Sequence, residues 1–492
     1  MSGPSKTGVD LYREYQAVFQ LNARDLEQKK PRRAYRRSLL GCLNCKKKKI
    51  KCDETKSQCR NCLKSHLKCA WPEKKQAHAD KDLMRPQSGL ATREKEPLSS
   101  EHVFQEPRSQ MDTHFLSVFI HSFLPTLAQV NFQDKRQCLE LVLAAAKESP
   151  LLQEVFIACG ASIIAFNNEQ HRHMAQERYT KAINFYLAEL KLGKIQGGEV
   201  WFFVAVQVLQ ILCLRDMFAD SNATRCAAHF GAAHKIISLR LSSDRNNISS
   251  QKPFLMLEKI MLENFLFNYS ITIFFCDHKQ LPELVPSPFV FFHAARTKLV
   301  HIFYDSIDRY KYRSMLAFQI AAKCAWLCRL KLPLDEDGRF LHMEIMQLAE
   351  ALLLSFENEA EEYCHLNVKA TMSIAKVVLN TSLILLLKIT DFDSVRARDL
   401  QHLVKAIRAD IDQPHNSNTI LPIWSLMIAA STSLDPDDQA FFKKCLGDLL
   451  VRSKSKIIVQ ILNYLDGLWE LYEGEEPFEF MFDTTVLDQV CN

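Results

Sequence analysis

Between Gly41 and Pro72 one cysteine spacing occurs twice. Cys42, Cys45 and Cys52 read C-x2-C-x6-C; six residues later Cys59, Cys62 and Cys69 read it again. A stretch this short cannot bury a core of its own, so bound metal must supply its folding energy. Zinc takes four ligands in a tetrahedron and favours thiolates. Two zinc ions need eight ligand positions, and six cysteines fill eight only if two of them bridge both metals. The other arrangement is a single four-cysteine site with two cysteines left over. The doubled spacing argues for the bridged pair, built on two short helical turns related by a pseudo-twofold. Six thiolates and two Zn2+ ions leave a core charge of −2. The run Lys46 to Lys49 beside it offsets that charge and favours the deprotonated thiols.

The overall charge points the same way. The whole chain is +5, but residues 1–75 carry +13 and residues 76–492 carry −8. A basic head on an acidic body calls for a polyanionic partner at the head alone. A basic arm, residues 1–40, precedes the cysteines. Its segment KKPRRAYRR places Lys29, Lys30, Arg32, Arg33, Arg36 and Arg37 together, a pattern suited to nuclear import or phosphate contact. No apolar signal run opens the chain, and the most apolar run, Val377 to Leu387, falls short of the roughly 20 residues of a membrane span. The expectation is an intracellular protein with no membrane span. Its sixteen cysteines are then thiols or metal ligands, not disulfides.

Residues 41–72 resemble the fungal zinc binuclear-cluster transcription factors, which follow the second cysteine with basic-x-basic-basic-x-basic-cysteine. Here that stretch is Lys46, Lys47, Lys48, Lys49, Ile50, Lys51, Cys52. The resemblance implies that Cys42 and Cys59 bridge two zinc ions, with Cys45 and Cys52 completing one site and Cys62 and Cys69 the other. It implies base contacts from Lys48 and Lys49, phosphate contacts from Lys46 and Lys51, and CGG-type targets. A lysine on a helix in the major groove can donate to guanine O6 and N7. The family commonly has a proline just before the fourth cysteine; Ser57-Gln58 stands there in this chain.

Residues 73–112 are polar and lack apolar periodicity or heptads, and read as a linker. From 113 to 474 the pattern is helical almost throughout. The chain has 13 glycines in 492 residues, far below a typical usage of roughly 7%, which disfavours a turn-rich sheet protein. In PLLQEVFIACGASIIAF an apolar face recurs at Leu152, Val155, Phe156, Cys159 and Ile163; in ERYTKAINFYLAEL it recurs at Tyr179, Ala182, Ile183 and Tyr186. LPELVPSP (281–288), LPLDEDG (332–338) and SLDPDD (433–438) read as loops. The expected fold is mostly α: a small two-zinc, six-cysteine cluster, a polar linker and a large all-α domain.

The stretches ERYTKAINFYLAEL and AAHFGAAHKIISL (227–239) resemble, diffusely, the helical regulatory domain of a subclass of those factors that includes regulators of amino-acid biosynthesis and sterol uptake. In the second stretch His229, Gly231 and Ala232 fit a close helix contact. The body holds no phosphate-cradling glycine loop, G-x-S-x-G or H-E-x-x-H, and His171-Arg172-His173 lacks partner ligands; no enzyme is expected. A helical domain leaves room for a small-molecule effector. Residues 475–492 form an acidic-aromatic tail of the composition that recruits coactivators. The expected function is sequence-specific, double-stranded-DNA-binding regulation of RNA polymerase II transcription in the nucleus. The competing reading is a helical scaffold whose zinc module binds protein; the lysine run separates the two, because a protein-binding module does not need that charge on one helix.

Overall fold

The computed structural model describes residues 42–47, 52–53, 55, 57–65 and 68–71 of the cysteine segment. Beyond it, residues 109–127, 135–166, 168–191, 199–216, 222–242, 256–276, 281–303, 309–358, 366–390, 397–416 and 421–473 are described. They fall in two units, one within residues 16–98 and one within residues 99–492. The basic arm 1–40 and the tail 475–492 lie outside the described residues, as does the linker apart from its last four positions. No strand occurs among the described residues, so the all-α expectation holds.

The cysteine unit has two one-turn helices, α1 (Leu43–Lys47) and α2 (Arg60–Lys64). The body opens with α3 (Gln110–Val118), which runs through a π-helical turn (Phe119–Phe123) into α4 (Leu124–Leu127). Then follow α5 (Lys135–Glu148), α6 (Pro150–Ala165), α7 (Glu169–Lys191), α8 (Glu199–Asp216), α9 (Asn222–Ser242) and α10 (Met256–Phe275). The chain continues through α11 (Leu281–Leu284), α12 (Pro288–Phe303), α13 (Arg309–Cys328), α14 (Glu336–Asn358) and α15 (Leu366–Thr390). It ends with α16 (Arg398–Ile411), a 3-10 turn (Pro414–Asn416), α17 (Ile423–Thr432), α18 (Pro436–Ser453) and α19 (Lys456–Glu473).

Local chemistry sets where these helices start. The Ser109 hydroxyl accepts the Asp112 amide at 3.1 Å and caps α3 inside the stretch read as linker. Ser149 caps α6 and Asp435 caps α18, each followed by a proline at the first helical position. There a missing N–H costs nothing and the fixed φ suits the helix. The same logic corrects the reading of LPELVPSP as a loop. Leu281–Leu284 is one helical turn, and Pro288 opens α12.

Two helices organise the packing. Helix α6 contacts α3, the π turn, α5, α7 and α8. Every residue of it from Leu151 to Ile163 is buried, not only the stripe that the periodicity marks; a helix surrounded on all sides needs no polar face. Helix α15 contacts α13, α14, α16 and α17. Its segment Val368–Thr390 is long and apolar enough to cross a membrane, but 89% of its most apolar window is buried inside the body. Hydroxyls in this segment turn inward without penalty because they donate to carbonyls one turn back, Thr381 to Val377 at 2.7 Å and Ser382 to Val378 at 2.8 Å. Helix α10 reaches both groups, touching α8 and α9 on one side and α13 and α17 on the other. Its Phe265 stacks on Phe230 at 4.4 Å between centroids.

The expected close approach at Gly231 is present: a Cβ there would overlap the Leu284 carbonyl of α11. His229 packs beside it with Nε2 2.9 Å from the Tyr179 hydroxyl. Burial, helped by nearby Arg225, pulls the half-buried imidazole down to about 4, so it is neutral at physiological pH and serves as a hydrogen-bonding packing group. In α7 the His171-Arg172-His173 run sits in the first turn, with His173 exposed. The described cysteines form no disulfide; outside the cluster Cys159, Cys213, Cys226, Cys276, Cys324 and Cys328 are buried.

Candidate metal centre and nucleic-acid interface

In each half of the cysteine unit a thiol stands where a serine or aspartate would ordinarily cap a helix. Cys59 is the N-cap of α2, and its Sγ accepts the Cys62 amide at 3.4 Å. Cys42 stands before α1 in the same way, and its Sγ accepts the Cys45 amide at 3.4 Å. The C-x2-C spacing therefore does two jobs. It wraps one helical turn, and it presents both thiols of the turn to the same side.

The two halves superpose in sequence with a shift of 17 residues, the separation of Cys42 and Cys59. Under that shift Leu43 matches Arg60, the first residues of the two helices. The Leu43 amide donates to the Ala70 carbonyl at 2.7 Å. The Arg60 amide donates instead to the Asp53 carboxylate, at 3.1 and 3.2 Å to its two oxygens. Positions 53 and 70 correspond, so a side chain in one half does the work of a backbone carbonyl in the other. Each helix start is thus tied to the residue after the other half's last cysteine. Asn44 adds a bond from Nδ2 to the Lys68 carbonyl at 2.6 Å. The Thr55 hydroxyl donates to Asp53 at 2.7 Å. That bond, with the Arg60 amide, holds the Asp53 carboxyl below its usual range. Asp53 and Asn44 went unnoticed in the sequence; the signal for them is the 17-residue alignment, not composition.

We expect Asp53→Ala to release zinc to a chelator several-fold faster than the parent, because an α2 amide and Thr55 lose their acceptor. Asp53→Asn, which keeps an acceptor, should release it at close to the parent rate; a metallochromic dye reads both.

Five of the six cysteines are buried and Cys69 is half-buried, with Trp71 packed against the group. Sγ separations are 3.8 Å for Cys42–Cys59, 3.7 Å for Cys42–Cys62 and 3.6 Å for Cys45–Cys59. Two sets of four thiols lie with their sulfurs all within 4.8 Å of one another. One is Cys42, Cys45, Cys52 and Cys59; the other is Cys42, Cys59, Cys62 and Cys69. Cys42 and Cys59 belong to both. At Cys42 burial opposes the thiolate, but the Cys45 amide and the adjacent thiols outweigh it and lower that thiol. At Cys59 the Cys62 amide does the same. Burial raises Cys45 and Cys62 and pushes Cys69 up to about 12. The two thiols common to both sets, Cys42 and Cys59, are thus both lowered. Six soft sulfurs in two interlocked fours fit two zinc ions, which cross-link the two turns; loading them releases protons.

Ser57, in the loop between the halves, has φ of 67°. Proline is held near −65°, so this loop is built differently from one with a proline at that position.

The first half is the more basic under the same alignment, since Lys46, Lys48 and Lys49 correspond to Leu63, Ser65 and His66, while Lys47 and Lys51 correspond to Lys64 and Lys68. Lys46 is in α1, and Lys47 beside it is exposed. Lys48, Lys49 and Lys51, the expected base and phosphate contacts, lie outside the described residues. Arg60, Lys64 and Lys68 of the second half are exposed.

Residues 40–78 match the family described as "Fungal Zn(2)-Cys(6) binuclear cluster domain", a domain that binds two zinc ions. Transcription factor lfc1 of Flammulina velutipes is 44% identical over 63 residues, 13% of this chain and 22% of that protein. The Zn(2)-C6 fungal-type transcription factor afumD of Aspergillus fumigatus is 24% identical over 144 residues, 29% of this chain and 37% of that protein. The chain therefore covers between about a fifth and two fifths of these relatives. No solved structure is significantly similar.

Proposed function

We propose that this chain, which carries a fungal Zn(2)-Cys(6) cluster domain, is a DNA-binding transcription regulator that reads guanine-containing, CGG-type triplets in the major groove. Its output is RNA polymerase II transcription, and its place of action is the nucleus. The observation that carries the reading is the pair of interlocked cysteine fours sharing Cys42 and Cys59, joined to a lysine run confined to one half. In this reading Cys42 and Cys59 bridge the metals, Cys45 and Cys52 complete one site, and Cys62 and Cys69 complete the other. The zinc ions hold the two turns rigid, and α1 with the lysines after it enters the groove. Lys48 and Lys49 donate to base edges, and Lys46 and Lys51 meet phosphates. The acidic-aromatic tail 475–492 serves as the coactivator contact.

Selection from random duplexes with the zinc-loaded full chain tests this. Enrichment of a guanine-containing triplet is expected. Enrichment of nothing above non-specific binding would favour a protein-binding zinc module instead. Lys49→Ala should cost about 1–3 kcal/mol on the selected site and relax preference at one base. Lys51→Ala should weaken all duplexes alike and reduce the salt slope by about one. Fluorescence anisotropy across a salt series separates the two behaviours.

A further inference from the structure

We infer that the helical body holds a site for a phosphoryl group, free or carried on a small ester, in a cavity of about 330 Å³ between α7 and α9. This stands apart from the DNA-binding reading and uses none of its residues.

Two helix faces build the site. Gln176, Tyr179, Thr180 and Ile183 recur at steps of three and four residues on α7, and Arg225 and His229 lie one turn apart on α9. Tyr179, Arg225 and His229 are half-buried, while Gln176 and Thr180 are exposed. No Asp or Glu lines the cavity, although residues 76–492 carry a net charge of −8. The positive charge that Arg225 brings to this wall is therefore not offset by a lining carboxylate. Its field acts on His229 and helps to keep that imidazole neutral. An anion between the two would be favourable to the guanidinium and could accept from the imidazole.

A chain of polar groups sets the donors. The Tyr179 hydroxyl has one proton and two partners, His229 Nε2 at 2.9 Å and Cys213 Sγ at 3.4 Å. Burial holds the phenol well above its ordinary range, so it keeps that proton. With the phenol donating to Nε2, the neutral imidazole carries its own proton on Nδ1 and offers it as a donor. Arg225 adds a planar fork of N–H donors, and the Gln176 side-chain amide adds its NH2 group. The Thr180 hydroxyl is already committed to the Gln176 carbonyl at 2.9 Å. Guanidinium, imidazole and amide thus line one space from two helices. A planar carboxylate fills one fork, whereas a phosphoryl group has oxygens for three separate donors. Ile183 gives the same cavity an apolar side that suits the carbon body of an ester. The volume is at the lower end of small-molecule sites.

Calorimetric titration of the full, zinc-loaded chain at constant ionic strength tests the site, with glycerol 3-phosphate, inorganic phosphate and acetate as probes. One saturable component is expected for the phosphoryl probes, with acetate about tenfold weaker or more. Tighter binding of the ester marks a small phosphorylated compound as the occupant; equal or tighter binding of inorganic phosphate marks the free ion. Arg225→Gln should weaken that component about tenfold or more. Arg225→Lys, which keeps the charge but loses the fork, should fall between the two. Phosphate held by the basic arm is common to parent and variants, so the component that changes with Arg225 is the one that belongs to this site. The ligand should raise the unfolding midpoint of the parent more than that of Arg225→Gln, while the two ligand-free midpoints agree. No saturable component for either phosphoryl probe, acetate as tight as phosphate, or unaltered affinity in Arg225→Gln would each overturn the proposal.

Discussion

Cys59→Ser should strip both metals from the cysteine unit and reduce DNA binding to the non-specific level. The Cys59 sulfur belongs to both sets of four thiols, and a serine hydroxyl at this position keeps its proton where a thiol gives it up. One substitution therefore removes a ligand from each zinc. Structural zinc contributes roughly 10–16 kcal/mol in small zinc modules, more than a unit of two one-turn helices can lose and stay folded. A fall in specific DNA affinity of about 10³-fold or more is expected, the usual gap between specific and non-specific binding. Native mass spectrometry reads the metal count, and anisotropy reads the DNA. Cys69→Ser is the contrast, since Cys69 belongs to one set only and is half-buried; one zinc should be retained in a larger share of molecules. A Cys59→Ser protein that keeps two zinc ions would refute the bridging assignment.

Gly160→Ala should be the most damaging single methyl in the body. A Cβ on Gly160 would overlap the Phe115 carbonyl oxygen and lie 2.6 Å from its carbon. Both obstacles are backbone of α3, so no side chain can swing aside; α3 must move off α6. That displaces the cap at Ser109 and strains the ion pair between Asp112 and Arg178, 2.9 Å apart across α3 and α7. A loss of about 3 kcal/mol is expected, the upper end for overpacking. Gly447→Ala is the control, because nothing lies within 4 Å of its missing Cβ in α18. There alanine should stabilise by roughly 0.5–1 kcal/mol through helix propensity alone. Denaturant unfolding of the two variants, followed by circular dichroism, should therefore move in opposite directions. A neutral Gly160→Ala would mean that α3 and α6 do not approach as closely as described.

Much of the body was legible because helix is a local property. The stripe Leu400, Val404, Ile407 and Ile411 of α16 is spaced by three and four residues and is buried as that spacing demands. Where reading along the chain failed, the cause was also physical. Pro288 and Pro436, in stretches read as loops, begin helices, yet in a linear reading proline signals a break. The single apolar stripe read in α6 understated its burial, since nothing local tells how many neighbours a helix will have.

The sequence alone determined the chemistry: which thiols are available, that their spacing repeats, that charge gathers on one half, and that the body from 113 on is mostly helix. Those facts rest on residues within a turn or two of one another. Tertiary structure decided which relationships those residues enter. It placed Cys42 and Cys59 in both sets of four, substituted the Asp53 carboxylate for a backbone carbonyl, pressed Gly160 onto Phe115, and brought Tyr179 to His229 across 50 residues to line a cavity. Periodicity carries no information about contacts at that range. They follow from how helices of given shape pack together, and only the assembled fold expresses that.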